Sequence, residues 1–193
     1  MYTYRELSKM LSTPSSALCK YSQGDIVPSL NKSKMILNTL LSRELVKEYI
    51  FRFLSKYGWN SNKLLTDPKV INILGMYMAR AIIRNLAGSG LRYLLAMPGS
   101  SSLIAASISS KLGLPVMLIP SGNEFGIDNY YQLRRGDYIA LVSDILTYDS
   151  LDKFYEFINR YELTLKIVLA VILVDKSLEK ELSKSTLLEY LVP

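Results

Sequence analysis

Two short stretches of the chain place small and hydroxyl-bearing residues between an apolar run and the start of a helical pattern. The first is MPGSSSLIAA at residues 97–106, and the second is LVSDILTYDSL at residues 141–151. Backbone N–H groups at a helix N-terminus attract anions, and small side chains let a phosphate approach them closely. Both stretches are therefore candidate anion-binding loops, and the first places Gly99, Ser100 and Ser101 between the apolar run and the helix start.

Each stretch also has a purely structural interpretation, as an ordinary strand-to-helix turn closed by a capping serine. In the second stretch, the sequence D-S-L-D fits an N-cap at Asp149 with a further acid in the first helical turn. Residue types at these positions leave both interpretations open.

Several classes of chemistry are excluded by composition. The chain has no histidine and a single cysteine, Cys19. Without an imidazole or a second thiol it cannot build the usual zinc sites, a catalytic histidine arrangement or an internal disulfide. Carboxylates, lysines, hydroxyls and backbone amides remain as the groups available for catalysis or binding.

The elements that carry these residues alternate along the second part of the chain. The apolar runs LRYLLAM, PVMLIPS, DYIALVSD and LKIVLAVILVD are separated by the amphipathic stretches SLIAASISSKLG and SLDKFYEFINRY. Continuous apolar strands between helices are typical of a mainly parallel sheet covered on both faces. The fold class predicted is α/β.

The first part of the chain has a helical period throughout. Two short helices within residues 4–29 are predicted on either side of an S-T-P-S turn, followed by one long helix over residues 34–57. A capping Asp67 and Pro68 predict the start of another helix that runs to about Leu86. We therefore predict two domains, a helical module at 1–57 and an α/β domain at 58–193.

Charge is distributed unevenly between these parts. Residues 1–60 carry nine Lys and Arg against four acidic residues, a net charge of +5, whereas residues 61–193 have a net charge of +1. A basic segment joined to a nearly neutral domain is typical of proteins that bind a polyanion. A basic surface that only contacts solvent would give the same net charges.

The N-terminal stretch YRELSKMLSTPSSALCKYSQGDIVPSL resembles the helix-turn-helix of the lambda-repressor and Cro-like family. Tyr21, Gln23, Gly24, Pro28 and Ser29 match the family's exit from its recognition helix, and Ser12 departs from the usual turn glycine. The resemblance implies a homodimer on double-stranded DNA, with Leu18 and Tyr21 facing inward. The residues expected to contact DNA are Ser15, Ser16, Cys19 and Lys20 in the major groove, and Gln23, Lys32 and Lys34 on the phosphate backbone.

Residues 64–176 resemble the type I phosphoribosyltransferases, through the two loops and the phrases RRGDYIALVSD and LAVILVD. The resemblance implies a site for phosphoribosyl pyrophosphate, with the candidate ligand residues Gly99, Ser100, Ser101, Ser143, Asp144, Thr147 and Ser150. Ser143 stands where the family has its first acid, and Tyr148 and Asp149 replace threonine and glycine in a phosphate loop one residue short. Residues 120–124 lack the family's basic residues, which leaves Arg134 and Arg135 as the nearby cations. These departures predict loss of catalysis, because phosphoribosyl transfer depends on positioned positive charge.

Taken together, the two resemblances predict a cytoplasmic, archaeal-type transcription regulator that needs no cofactor. A helix-turn-helix module would bind DNA, and a degenerate phosphoribosyltransferase-like domain would dimerise and sense a nucleotide or phosphoribosyl pyrophosphate. The alternative is an active purine or pyrimidine phosphoribosyltransferase that uses Mg²⁺, with Asp144, Thr147 and Ser150 holding the donor. A third possibility is an assembly partner that binds neither DNA nor nucleotide.

Overall fold

The computed structural model describes residues 2–64, 66–119, 133–182 and 186–193. The chain divides into two compact units, Met1–Tyr49 and Ile50–Pro193. Within the described ranges, no helix is long and apolar enough to cross a membrane.

The first unit begins with two short helices where the sequence predicts them, α1 (Tyr4–Leu11) and α2 (Ser15–Gln23). A capping box between Thr3 and Glu6 starts α1, which satisfies N–H groups that have no partner inside the helix. Leu11 and Leu18 are buried, as their helical spacing predicts. Tyr21, also predicted to face inward, is only half-buried.

The single long helix predicted over residues 34–57 is wrong. The structure has α3 (Leu30–Leu40) and α4 (Arg43–Lys56), separated at Leu41 and Ser42. Ser42 starts the second helix, because its carbonyl oxygen accepts from the N–H of Val46 and its hydroxyl accepts from the N–H of Leu45. Serine at an N-cap competes with continuation of the preceding helix, which the apolar spacing alone does not reveal.

Among the described residues, the second unit forms a five-stranded sheet in which all paired strands are parallel, with helices after β1, β3 and β4. Spatial order across the sheet is β2-β1-β3-β4-β5. Its elements are α5 (Ser61–Leu64), α6 (Pro68–Leu86), β1 (Leu91–Ala96), α7 (Ser100–Leu112), β2 (Val116–Leu118), β3 (Tyr138–Leu146), α8 (Tyr148–Arg160), β4 (Thr164–Leu173), α9 (Ser177–Leu182) and β5 (Leu187–Val192).

The predicted α/β class and the predicted parallel sheet are confirmed, and the central strands β3 and β4 are buried along most of their lengths. Strand β5 has no counterpart in the sequence prediction. Its residues LLEYLV do not alternate cleanly, and the strand is defined by its pairing with β4.

Helices α6 and α7 pack closely at a glycine. A Cβ at Gly75 would lie 2.1 Å from Oγ and 2.6 Å from Cβ of Ser107, both closer than real atoms approach. The missing side chain lets the two helices meet, and the small side chain of Ser107 completes the contact.

Candidate ligand site at the carboxyl edge of the sheet

Strands β1 and β3 are neighbours in the sheet, yet the chain leaves them in opposite directions. From β1 the chain continues through α7 to β2 on one side, and from β3 it continues through α8 to β4 on the other. The gap between β1 and β3 is therefore the topological switch point, where ligands of open α/β sheets bind beyond the carboxyl ends of the strands. The first predicted anion-binding stretch follows β1 at this edge, and the second runs along β3 and ends there at the start of α8.

Ser101 and Asp144 join the two stretches directly, although they are 43 positions apart. The Ser101 hydroxyl donates to Oδ1 of Asp144 at 2.8 Å and accepts from the Asp144 N–H at 3.1 Å. Ser101 is buried and Asp144 is half-buried. The contact fixes the Asp144 carboxylate at the switch point, but it also uses the serine hydroxyl that was predicted to hold a ligand.

Ser143 is 2% exposed, and its hydroxyl donates to the carbonyl of Ile145 at 2.8 Å. Strand β3 continues beyond it to Leu146, so Ser143 and Asp144 lie in the strand and not in a loop. With its side chain buried and bonded to the backbone, Ser143 is badly placed to contact a ligand.

Thr147 and Ser150 bond to each other in a capping box at the start of α8. Ser150 Oγ accepts from the Thr147 N–H at 2.9 Å, and Thr147 Oγ1 accepts from the Ser150 N–H at 3.2 Å. Thr147 is therefore the N-cap, whereas the sequence suggested Asp149, which lies in the first turn. One residue separates β3 from α8, so the expected phosphate loop is reduced to a helix N-terminus.

Gly99 and Ser100 start α7 at the same edge. Gly99 has φ of 101°, which favours glycine, and open space surrounds the position where a Cβ would be. No side chain caps α7. The Ser102 N–H bonds to the Gly99 carbonyl at 3.2 Å, so the amides of Ser100 and Ser101 are the ones suited to an anion.

Tyr148 extends the site to the end of the next strand. Its hydroxyl hydrogen-bonds the Ser177 hydroxyl at 2.6 Å, and the Ser177 N–H and O–H donate to Oδ1 of Asp175 at 2.8 and 2.6 Å. These two bonds hold the pKa of the exposed Asp175 carboxyl below its ordinary 3.8. Ser177 and Asp175 were not predicted as site residues, although an acid and a serine directly after an apolar strand were a visible signal.

The remaining predicted cations do not reach this edge. Arg134 and Arg135 precede β3 and so lie at the opposite, amino edge, where Arg135 forms an ion pair with Glu162. The segment 120–124, whose composition suggested a loss of positive charge, falls outside the described residues.

The residues predicted to contact DNA have mixed environments in the first unit. Ser15, Ser16, Lys20, Gln23 and Lys34 are exposed, whereas Cys19 and Lys32 are half-buried. The Lys32 ammonium donates to the carbonyls of Leu11 and Ser12 at 3.5 and 3.4 Å. Lys32 thus stabilises the C-terminus of α1, as a cation at the negative end of a helix dipole, and its contact with a DNA phosphate stays a prediction.

No group of three or more metal-binding side chains occurs among the described residues. Asp144 nevertheless fits a magnesium ion that arrives with a phosphorylated substrate, because such ions take one or two protein carboxylates and complete their shell with phosphate oxygens and water.

The fold of the second unit is similar to that of the type I phosphoribosyltransferases. Adenine phosphoribosyltransferase from Leishmania tarentolae shares it with a TM-score of 0.56 at 11% identity, over 69% of this chain and 74% of that one. The Saccharomyces cerevisiae adenine phosphoribosyltransferase gives 0.55 at 13% identity, over 66% and 82%. Leishmania donovani UMP synthase gives 0.54 at 15%, over 69% of this chain and 29% of that one.

These similarities correct the predicted function. They point to the phosphoribosyltransferase fold and not to a DNA-binding transcription regulator, so the regulator interpretation is contradicted and the enzyme alternative agrees better. No protein-family model and no curated protein matches the chain. Neither the lambda-repressor-like module nor an archaeal origin gains support from any comparison.

Proposed function

We propose that the chain is a phosphoribosyltransferase that acts on a purine or pyrimidine base in nucleotide metabolism. The observation that carries the proposal is the position of Asp144, a carboxylate fixed by Ser101 at the switch point between two helix N-termini. A phosphorylated ribose needs this combination of an acceptor for its hydroxyls and donors for its phosphates.

Each part of the donor has a matching group at this edge. Asp144 accepts hydrogen bonds from the ribose hydroxyls, and the first amides of α8, at Tyr148 and Asp149, bind the 5-phosphate. The uncapped amides of α7 beyond Gly99 bind the pyrophosphate. The hydroxyls of Ser101, Thr147 and Ser150 shape this site but bind no ligand, because other protein groups already use them.

In the reaction, a ring nitrogen of the base forms a bond to C1 of the ribose while the bond from C1 to pyrophosphate breaks. Pyrophosphate leaves with the electron pair, and the nitrogen's proton passes to solvent. Magnesium carried by the donor, with Asp144 as its protein ligand, would supply positive charge to the leaving group. Asp144 also keeps the ribose oriented so that C1 faces the incoming base.

The test measures pyrophosphate release from phosphoribosyl pyrophosphate with each common base, in the presence of Mg²⁺, for three asparagine variants. Asp144→Asn should lower kcat/KM at least tenfold. Asp149→Asn should lower KM for the donor, since it removes a negative charge from the turn that binds the phosphate. Asp152 is an exposed acid further along α8, beyond the capping residues Thr147 and Ser150. Asp152→Asn should therefore leave kcat/KM and the KM for the donor within twofold.

Donor binding is measured separately by calorimetry. Binding without pyrophosphate release from any base would overturn the catalytic proposal while leaving the ligand site intact. Absence of both would overturn the site itself.

The expected partners follow from the same proposal. Phosphoribosyl pyrophosphate or a nucleotide is the ligand, the assembly is a homodimer, and the location is cytoplasmic, where free nucleotides are plentiful. Ultracentrifugation tests the dimer. A helix-turn-helix arrangement of α1 and α2 and its predicted duplex DNA partner form no part of this function and stay predictions.

A further inference from the structure

The amino edge of the sheet, opposite the ligand site, carries two irregularities on neighbouring strand pairs. Between β1 and β3 the pairing passes from Leu91–Tyr138 to Tyr93–Ile139, which leaves Arg92 as an extra residue. Between β3 and β4 it passes from Ile139–Leu165 to Ala140–Ile167, which leaves Lys166 extra. Bulges are rare in parallel pairs and commonly re-aim a side chain near a functional surface.

Both extra residues are cations, and they flank an exposed aromatic residue. Tyr138 lies on β3, between β1 with Arg92 and β4 with Lys166, and is 37% exposed. Two strand spacings, about 10 Å, separate the outer strands. We refer to Arg92, Tyr138 and Lys166 as the amino-edge site.

Arg92 keeps donors for a ligand although it is paired. Its Nε lies 3.4 Å from Oδ1 of Asp137, whose side chain is 9% exposed, while the arginine side chain is 51% exposed. The Asp137 carboxylate is thus inside the protein, and its Oδ2 accepts from the Arg134 N–H. The Arg92 guanidinium faces solvent.

Lys166 and Gly90 define the surroundings of the Tyr138 ring. The Lys166 ammonium lies 4.1 Å from the ring centroid, a cation–π contact. A Cβ at Gly90 would lie 3.9 Å from Cδ2 of the ring, an ordinary van der Waals distance, so Gly90 lies beside the aromatic edge. The other charged groups before β3 and β4 are Arg134, Arg135 and Glu162, of which the last two pair with each other.

We propose that the amino-edge site binds single-stranded nucleic acid, with a base packed on the part of the Tyr138 ring that Lys166 leaves exposed and phosphates on Arg92 and Lys166. Positive charge along a backbone path combined with an exposed ring is the arrangement that binds single strands without reading sequence. Duplex DNA fits less well, because its bases are stacked inside and the site offers no helix or ribbon to enter a groove. An acidic peptide would use the cations but leave the ring without a partner.

The experiment is fluorescence anisotropy of the full chain with a labelled twelve-nucleotide uridine RNA at several salt concentrations. Arg92→Gln with Lys166→Gln should weaken binding at least tenfold and reduce the salt slope by about 1.4, since each single-strand phosphate contact contributes about 0.7. Tyr138→Leu should weaken binding fivefold or more and leave the salt slope unchanged, because it removes stacking but no charge.

Three controls make the result specific. Two double variants remove the same charge from other exposed positions: Lys63→Gln with Lys153→Gln, and Lys20→Gln with Lys34→Gln. Each double variant should change the affinity for RNA less than twofold. Lys166→Gln alone leaves the Arg92–Asp137 pair intact and should still weaken binding severalfold, which separates binding from folding. Phosphoribosyl transfer should be unaffected, so this proposal and the proposed enzyme activity succeed or fail separately.

Several results would overturn the proposal. One is tighter binding of a matched duplex or of an oligo-glutamate peptide than of the uridine RNA. Another is RNA binding that is absent or does not depend on salt. The third is a loss of RNA affinity in the Lys20 and Lys34 variant as large as the loss in the Arg92 and Lys166 variant.

Discussion

Hydroxyl side chains at the carboxyl edge bond mainly to protein groups. Ser101 holds Asp144, Thr147 and Ser150 cap α8, and Ser177 bonds to Tyr148 and Asp175. Hydroxyl-rich stretches after strands suggested direct ligand contacts, but most of these groups fix the backbone and the carboxylates. The groups left for an anion are backbone amides, which no side-chain substitution removes.

At this scale, Ser177→Ala should raise the pKa of Asp175 toward 3.8, because both the hydroxyl bond and the local turn that presents the N–H favour the ionised carboxyl. A carboxyl with a lowered folded pKa stabilises the native state fully above its unfolded value and loses that contribution as pH falls through the folded value. As pH falls below 3.8, the free energy of unfolding of the variant should therefore decrease less than that of the wild type. Titration of the Asp175 side-chain carbon by NMR measures the shift. Ser110→Ala, a change of equal size on α7, should leave the pKa unchanged.

At the scale of the elements, the sheet is held to its helices by a few specific contacts. Glu189 on β5 accepts hydrogen bonds from the Tyr77 hydroxyl and from Arg84, both on α6. On the same helix, Gly75 lies against Ser107 of α7. These contacts position α7, whose first turn carries Ser101, so they support the ligand site from a distance.

Gly75→Ala should destabilise the protein by about 1–3 kcal/mol, the usual cost of adding a methyl group to a packed interior. Urea denaturation measures the change. The added Cβ meets the Ser107 side chain, so in the background of Ser107→Gly the same substitution should cost clearly less. A gain in stability for Gly75→Ala alone would show that the helices separate easily.

Glu189→Ala should cost about 1.5–3 kcal/mol, typical for hydrogen bonds to a charged group. Glu179→Ala is the matched control, because Glu179 accepts an exposed hydrogen bond from Tyr190 at 3.2 Å. The control should change the free energy of unfolding by less than about 0.5 kcal/mol. Equal losses in the two variants would mean that the link between β5 and α6 contributes little.

At the scale of the whole molecule, the parallel sheet and all of the helices between its strands belong to the second unit, Ile50–Pro193. The same unit contains both the candidate ligand site and the amino-edge site, at opposite ends of the strands. The first unit contributes none of the residues on which either proposal depends.

A fragment that begins at Ser42, and so keeps α4 and its start, should fold by itself and bind phosphoribosyl pyrophosphate as the full chain does. Coincident unfolding transitions by far-ultraviolet circular dichroism and by hydrodynamic radius would show cooperative folding. A fragment that folds but fails to bind would place part of the ligand site in the first unit.

The sequence by itself determined the features that depend on neighbouring residues. The α/β class, the start of α6 at Asp67 and Pro68, and the buried strands β1, β3 and β4 were all predictable, because capping and hydrophobic periodicity are local. The position of the candidate site after two strands was predictable for the same reason.

Only the tertiary structure decided which groups meet. Ser101 bonds to Asp144, and β5 pairs with β4. Arg134 and Arg135 lie at the amino edge, away from the ligand site. Arg92 and Lys166 lie on the strands on either side of Tyr138. Each of these outcomes depends on strand order or on a shift of one residue in register. Because hydrogen-bonded strands are brought together across tens of residues by the packing of the whole sheet, no local pattern in the sequence specifies them.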